Sequence, residues 1–377
     1  MYKSQLKRNR SSPFSSKLIR PLRLFINLIL IGIGFGVLTG SILKAIAIQD
    51  TKRQFILPSW LPLKGVLTKT NLGSKSKNIE KRRKNNLNLD MLLSKNEITS
   101  LSEHWKKLAN KEKDLIASAF LLKLDDEKYA QLTPKNPLPA ASSIKIPILL
   151  VTLKLVDSGQ LSWNEELQLR KELIGGGAGW MAYQPLNKRF PVYELATEMI
   201  RVSDNTATNL LIQRIGGIEI LNSQFKQLGL QSTSVKNLMP DLSGTNTTSA
   251  KDLVQTIAMV DEGNVLSPRT RDLFREVLST SISNRLLPGG FLRGLGVERQ
   301  NIDHNLLIKG YRIYNKTGDI GIAYADAGLI QMPDNTRAVA GFIVKGPFND
   351  PRSSELIRKM AQALVPYLKP RIVLDEN

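Results

Sequence analysis

The sequence predicts an α+β protein, an antiparallel β-sheet flanked by helices with an inserted all-helical subdomain, preceded by one transmembrane helix. Three observations carry this. Strand-period segments open and close the globular part, helix-period segments fill its middle, and a charge-free run of twenty residues follows a basic N-terminus.

The first 88 residues divide into three. Residues 1–23 form a basic tail with seven Lys/Arg and no acid. Residues 24–43, Leu24 to Leu43, carry no charge over the length at which a helix crosses a bilayer, roughly 20 residues. A signal-peptide core is shorter, about 7 to 15 residues, although Lys44–Ala47 offers a small-x-small cleavage site. The positive charge ahead of the span outweighs Lys44, Lys52 and Arg53 behind it. That bias predicts a single-pass inner-membrane protein with a cytoplasmic N-terminus and its domain on the periplasmic side. Gly32, Gly36 and Gly40 make a small-xxx-small stripe of the kind that pairs helices, though glycine is common in spans. Residues 44–88 are polar, basic and aperiodic, a linker.

Charge and composition narrow the function classes. The net charge of +20 suggests nucleic acid, but residues 1–89 hold 18 Lys/Arg against Asp50 and Glu80. Only +4 remains for the rest, so the charge belongs to the appendage and no nucleic-acid partner is expected. The basic run Lys81–Lys84 reads as solvated linker. With no cysteine there is no disulfide framework and no thiolate metal site. The two histidines, His104 and His304, lie in polar surroundings and read as solvated. A serine nucleophile here therefore needs a base other than histidine, and lysine is the alternative.

Residues 89–369 read as the folded domain and 370–377 as a tail. "LDMLLSKNEITSLSEHWKKLANK" has a helical period, and "LIASAFLLKLDDEKYAQLTP" reads as two strands around an "LDDEK" turn. A helix is expected to open at Ser142, and five more follow: "VYELATEMIRV", "TATNLLIQRIGG" closed by glycine, "IEILNSQFKQLG", "TSAKDLVQTIAMVDEG" and "SPRTRDLFREVLSTS". Beyond a glycine-rich loop, "YRIYNKTG", "IAYADAGLIQM" and "RAVAGFIVKG" alternate like an antiparallel meander. Asp350-Pro351 then starts a final helix running to about Leu368.

Three short motifs carry chemistry. Ser-x-x-Lys occurs five times, from Ser4, Ser41, Ser74, Ser142 and Ser223, and only Ser142–Lys145 opens an apolar helix after a strand pair. Ser142 reads either as an N-cap beside an awkward buried lysine or as a nucleophile beside its base. Ser203, Asp204 and Asn205 follow, where Ser203 or Asp204 also reads as a plain helix cap. Lys316, Thr317 and Gly318 then sit on an expected strand, where the plain reading is a strand ending in a turn.

In this order and on these elements, the motifs resemble the serine β-lactamase and penicillin-binding family, closest to class A β-lactamases. "SDNTATNLLIQRIGG", the "YQP" of Tyr183–Pro185 and "NRLLPGG" at Asn284–Gly290 belong to the same resemblance, which covers about Leu89 to Leu368. It implies a β-lactamase-like fold and a serine hydrolase acting through an acyl-serine intermediate, without metal or cofactor. Ser142 would be the nucleophile, Lys145 its base, and Ser203 the proton relay to the leaving nitrogen. Asn205 would bind the substrate's side-chain amide. Lys316 and Thr317 would hold the carboxylate of a β-lactam or D-alanyl peptide. The backbone N–H groups of Ser142 and of Asp319, next after Gly318, would form the oxyanion hole, and Tyr183 would flank the cleft.

The chain departs from class A in one loop. Aligning Pro240 to Leu242 with the family's Pro-acid-Leu puts Met239 where the deacylating glutamate stands and Ser243 where its asparagine partner stands. Methionine neither deprotonates nor orients water, and Asp241 is two residues away. Asp319 also sets an anion beside the expected carboxylate site. The sequence reads first as a membrane-anchored hydrolase of β-lactam or related amide bonds; the alternatives are a penicillin-binding D-alanyl peptidase or transpeptidase of the cell wall and a non-turnover β-lactam or peptidoglycan sensor that is acylated or merely occupied.

Overall fold

The computed structural model describes residues 96–297 and 301–368. The basic tail, the Leu24–Leu43 segment, the linker and residues 370–377 lie outside them. No helix among the described residues is long and apolar enough to cross a membrane.

A five-stranded antiparallel sheet organises the domain. Helix α1 (Thr99–Asn110) leads into β1 (Ile116–Lys123) and β2 (Tyr129–Leu132), and the chain returns at its far end with β7 (Arg312–Asp319), β8 (Ala323–Gln331) and β9 (Arg337–Lys345). The sheet order is β2-β1-β9-β8-β7, so the two ends of the domain meet at the β1–β9 pair and β7 is left as an edge. Between them come α2 (Lys145–Asp157), α3 (Val192–Arg201), α4 (Asn205–Ile215), α5 (Gly217–Gln227), α6 (Ala250–Asp261) and α7 (Pro268–Ser279). The short pairs β3 (Leu138–Pro139) with β6 (Thr247–Thr248) and β4 (Glu166–Gln168) with β5 (Arg189–Pro191) tie this insertion together. After α7 follow α8 (Leu287–Gly294) and α9 (Ile302–Ile308), and α10 (Pro351–Gln362) closes the fold.

Both faces of the sheet are covered, which is why its strands are apolar nearly throughout. Phe120, Leu122, Ala325, Leu329 and Ile343 face the helical insertion. Their neighbours Ala119, Leu121, Ile330, Ala340 and Phe342 face the layer of α1, α8 and α10. In that layer Trp105 meets Phe342 edge-on at 5.7 Å, and its indole N–H donates to Met360 O at 2.9 Å. The local signals behave as expected at several ends. Gly216 closes α4 at φ +118°, Ser249 caps α6 by accepting from Asp252 N, and Asp350 caps α10 by accepting from Arg352 N.

Three elements differ from the sequence reading. Helix α1 begins only at Thr99, because Ile98 N donates to Tyr129 O and Tyr129 N to Asn96 O, drawing residues 96–98 into an extended bridge. Ser142 lies in a 3-10 turn, Ala141–Ile144, with the α-helix starting at Lys145, and its side chain caps nothing. The glycine-rich segment after α7 is no simple loop, since it contains α8. Its glycines serve packing: a Cβ on Gly290 would lie 2.4 Å from Arg358 O, and one on Gly294 2.7 Å from Gln362 O. Close approach to α10 overrides the weak helix propensity of Leu-Pro-Gly-Gly.

Candidate active site

The 3-10 turn presents Ser142 at the junction between the sheet and the insertion. Ala141, just before it, holds a left-handed φ of +47°, and Ser203 one of +61°. Non-glycine residues seldom adopt this region, and those that do concentrate at functional sites. Lys145 starts α2 one turn on and is fully buried. Its Nζ lies 3.2 Å from Ser142 Oγ, 3.0 Å from Ser203 Oγ, 2.7 Å from Ser203 O and 2.8 Å from Asn205 Oδ1. Ser203 O and Asn205 Oδ1 can only accept. A neutral amine therefore satisfies its two N–H groups on them and turns its lone pair to the hydroxyls. Burial first, and then the charge of Lys316, hold Lys145 well below the usual lysine range, while Asp204 opposes them. This lysine is equipped as a base.

Asp204 fixes the Ser203–Asn205 segment. One carboxylate oxygen caps α4 through Ala207 N at 2.9 Å, and the other accepts from Trp180 N and Met181 N at 2.8 and 2.9 Å. Asn205 Nδ2 donates to Gly176 O at 2.7 Å, so this side chain bridges Lys145 to a glycine loop. None of the three sequence motifs includes that loop. Its signal is the run Gly175–Gly179 itself: a Cβ on Gly179 would lie 2.1 Å from Asp204 Oδ2, and one on Gly175 2.5 Å from Met239 O. Tyr183 follows on the same loop and is 82% exposed.

Strand β7 closes the other side. A Cβ on Gly318 would lie 2.7 Å from Ser142 N, so only glycine lets the edge strand pass the Ser142 N–H this closely. Lys316 is buried, and its Nζ donates to Thr317 O at 2.6 Å. Burial lowers it to about 8 against the support of Asp326. Thr317 is half-buried, and Asp319 is exposed with Oδ1 accepting from Gly321 N at 2.8 Å, which closes the turn to β8. The structure thus brings Ser142, Lys145, Ser203, Asn205 and Lys316-Thr317-Gly318 to one place. His104 and His304 are exposed.

The loop after α5 reaches the same place. Asn209 holds the backbone of Met239 at both ends, accepting from its N–H and donating to its carbonyl, each at 2.8 Å. The Met239 side chain is buried in the core of the insertion. Asp241 is committed within the loop, accepting from Thr245 Oγ1 at 2.9 Å and from Asn246 N at 2.6 Å. Ser243 is exposed.

The family model of the β-lactamase enzyme family matches residues 100–368. The chain belongs to this family. Over 271 residues it is 26% identical to the extended-spectrum β-lactamase PER-1 of Pseudomonas aeruginosa, covering 67% of this chain and 83% of that one. The solved structure of PBP-A is 39% identical with a TM-score of 0.66, covering 72% of this chain and 96% of PBP-A. A point mutant of PBP-A has been solved as an acyl-enzyme complex with penicillin G. A β-lactamase of Francisella tularensis, at 21% identity and TM-score 0.61, shares the fold. This family member is a serine hydrolase of the class A type, with the α+β fold of class A β-lactamases and related penicillin-binding proteins.

Proposed function

We propose that this chain is a membrane-anchored, penicillin-binding serine acyl-enzyme that takes D-alanyl peptides of the cell wall and β-lactams, and deacylates slowly from the latter. The supporting observation is the Lys145 site: a buried lysine whose Nζ lies against the acceptors Ser203 O and Asn205 Oδ1 and within 3.2 Å of the Ser142 and Ser203 hydroxyls. In acylation Lys145 Nζ takes the Ser142 proton while Oγ bonds to the amide carbonyl carbon. Ser142 N and the N–H of Asp319 receive the oxyanion. When the C–N bond breaks, the proton passes from Nζ through Ser203 Oγ to the leaving nitrogen. Lys316 and Thr317 hold the substrate carboxylate, Asn205 its side-chain amide, and Tyr183 borders the cleft.

The Met239 loop supports the slow second step. Met239 supplies no carboxylate, and that of Asp241 is turned into its own loop. The alternative is an efficient β-lactam hydrolase, favoured by the likeness to PER-1. Intact-mass analysis of the domain followed over time after penicillin G separates the two. A lasting penicilloyl adduct on Ser142, lost in Ser142→Ala and in Lys145→Ala, is the expected result. Labelling that survives Ser142→Ala in folded protein sinks the assignment, and fast release of the adduct favours the hydrolase. Anchoring through Leu24–Leu43 rests on the length and flanking charge of that segment. Protease added to spheroplasts should then remove the domain, and full protection would refute an outward-facing domain.

A further inference from the structure

Ser203 holds a left-handed φ of +61°, a conformation that persists in a non-glycine residue only where the surroundings over-determine it. A closed ring of hydrogen bonds does so here. Glu198, near the end of α3, is buried, and its Oε2 accepts from the Trp180 indole N–H at 2.7 Å. Trp180 N in turn donates to Asp204 Oδ2 at 2.8 Å. Asp204 N donates back to Glu198 O at 3.0 Å, which closes the ring around Ser203. Arg201 orients the Glu198 carboxylate, its Nε and Nη2 donating to Oε1 and Oε2 at 2.7 and 2.8 Å.

The ring joins a pliant loop to the site. Gly177 and Gly179 stand at φ +87° and +88°, and glycines give a chain little stiffness of its own, so ties to α3 and α4 decide where the loop rests. On the α4 side Asn205 N donates to Ala178 O at 3.2 Å and Asn205 Nδ2 to Gly176 O at 2.7 Å. On the α3 side the tie is the Trp180 indole. Toward the site, Ser203 O and Oγ lie 2.7 and 3.0 Å from Lys145 Nζ. We propose that Glu198 is a positioning residue for the Ser203 hydroxyl. Its carboxylate holds the Trp180 indole, Trp180 holds the Asp204 carboxylate, and the closed ring keeps Ser203 turned toward Lys145. The proposal rests on the acylation reading given above, in which Ser203 carries the proton to the leaving nitrogen.

The experiment compares two acyl donors on the full-length chain in detergent, with thermal denaturation as the folding control. Penicillin G is attacked at its amide, whose nitrogen leaves only with a proton. A thioester of N-acetyl-D-alanine with thioglycolic acid is attacked in the same way, but its sulfur leaves as thiolate while Lys145 keeps the serine proton. Adduct formation by intact mass follows the first, and first-turnover thiol release the second. In Glu198→Ala, penicillin acylation should slow by about 10-fold or more, part of the 10²–10⁴-fold that a placed proton donor is worth, with the thioester rate close to the parent's. Glu198→Gln keeps an oxygen for the indole N–H and should recover most of the penicillin rate. A structural role alone slows both donors in parallel. Parallel loss, or no loss with either donor, in folded Glu198→Ala therefore overturns the proposal, and so does a Glu198→Gln as slow as Glu198→Ala. Should Glu198→Ala not fold, Trp180→Phe opens the same ring from its other side, and the same selective loss is required of it. Should the parent refuse the thioester, loss in the alanine variant and recovery in the glutamine variant decide on penicillin alone. A parent acylated by neither donor removes the reading of the site, and this proposal with it. Acylation by both without selective loss in the variants removes the role of Glu198 alone.

Discussion

Replacing Met239 by glutamate tests whether a missing base limits turnover. Gly175 is in contact distance of both Met239 O and Asn205 Cβ, and Asn205 Oδ1 lies 2.8 Å from Lys145 Nζ. Residue 239 is therefore separated from Lys145 by two intervening residues, Gly175 and Asn205, and Asn209 holds its backbone at both ends. General-base assistance is worth on the order of 10²–10⁴-fold. A water ordered by glutamate alone recovers part of that, because Ser243 is exposed and the two positions couple. We therefore expect loss of the penicilloyl adduct to quicken by about 10-fold or more, equivalent to about 1.4 kcal/mol in the barrier. Removing the buried methionine costs about 1.5–3 kcal/mol of stability, so the variant should melt lower while releasing faster. A carboxyl at this buried position ionises later than an exposed one, so the gain should grow as pH rises through its raised pKa. The assay is the decay of the adduct by intact mass in the parent, Met239→Glu and Asp241→Asn. Asp241→Asn should leave the rate unchanged, since that carboxylate is bonded to Thr245 and Asn246. Fast decay in the parent that neither substitution alters would refute the alignment of this loop and the argument built on it.

Two glycines give further tests. Gly318→Ala sets a methyl 2.7 Å from Ser142 N and 2.9 Å from Ser143 N, displacing β7 from the Ala141–Ile144 turn. The acylation rate should fall by about 10²–10³-fold, as when one oxyanion donor is lost; an unchanged rate would show that the strand and turn adjust freely. Gly290→Ala gains about 1 kcal/mol in helix propensity, but its methyl meets Arg358 O at 2.4 Å, and overpacking costs about 1–3 kcal/mol. The midpoint of thermal unfolding should drop by a few degrees, about 2–4 °C per kcal/mol, whereas a rise would mean that α8 and α10 separate at no cost.

What could be read from the sequence follows from how locally each feature is encoded. The meander and the helical insertion were legible because period 2 and period 3.6 are properties of a few neighbouring residues. Asp204 was legible as a cap for the same reason: Ser-Asp-Asn ahead of an apolar-periodic run is a local arrangement, and Ala207 N is its partner three residues on. Helix α8 was not, because its glycines owe their place to α10, more than sixty residues away, and no local propensity reports a partner at that distance. The fate of Ser142 shows the same division. As a neighbour of Ile144 it is a natural helix cap, yet the Lys145 amine that lies beside it is itself held by Ser203 and Asn205 from another part of the chain, leaving the serine side chain no cap to make. Asp326 is the instructive omission. A single acid within the apolar strand "IAYADAGLIQM" costs too much to be accidental, so its presence is the signal that buried donors lie alongside. The pairing of that strand with "YNKTG" was already expected from the meander. Across the pair it stands opposite Thr317, and its donors are Asn315 Nδ2 on that strand and Leu287 N at the start of α8. A charge that is expensive where it stands is thus a stronger pointer to its partners than a residue that is comfortable there.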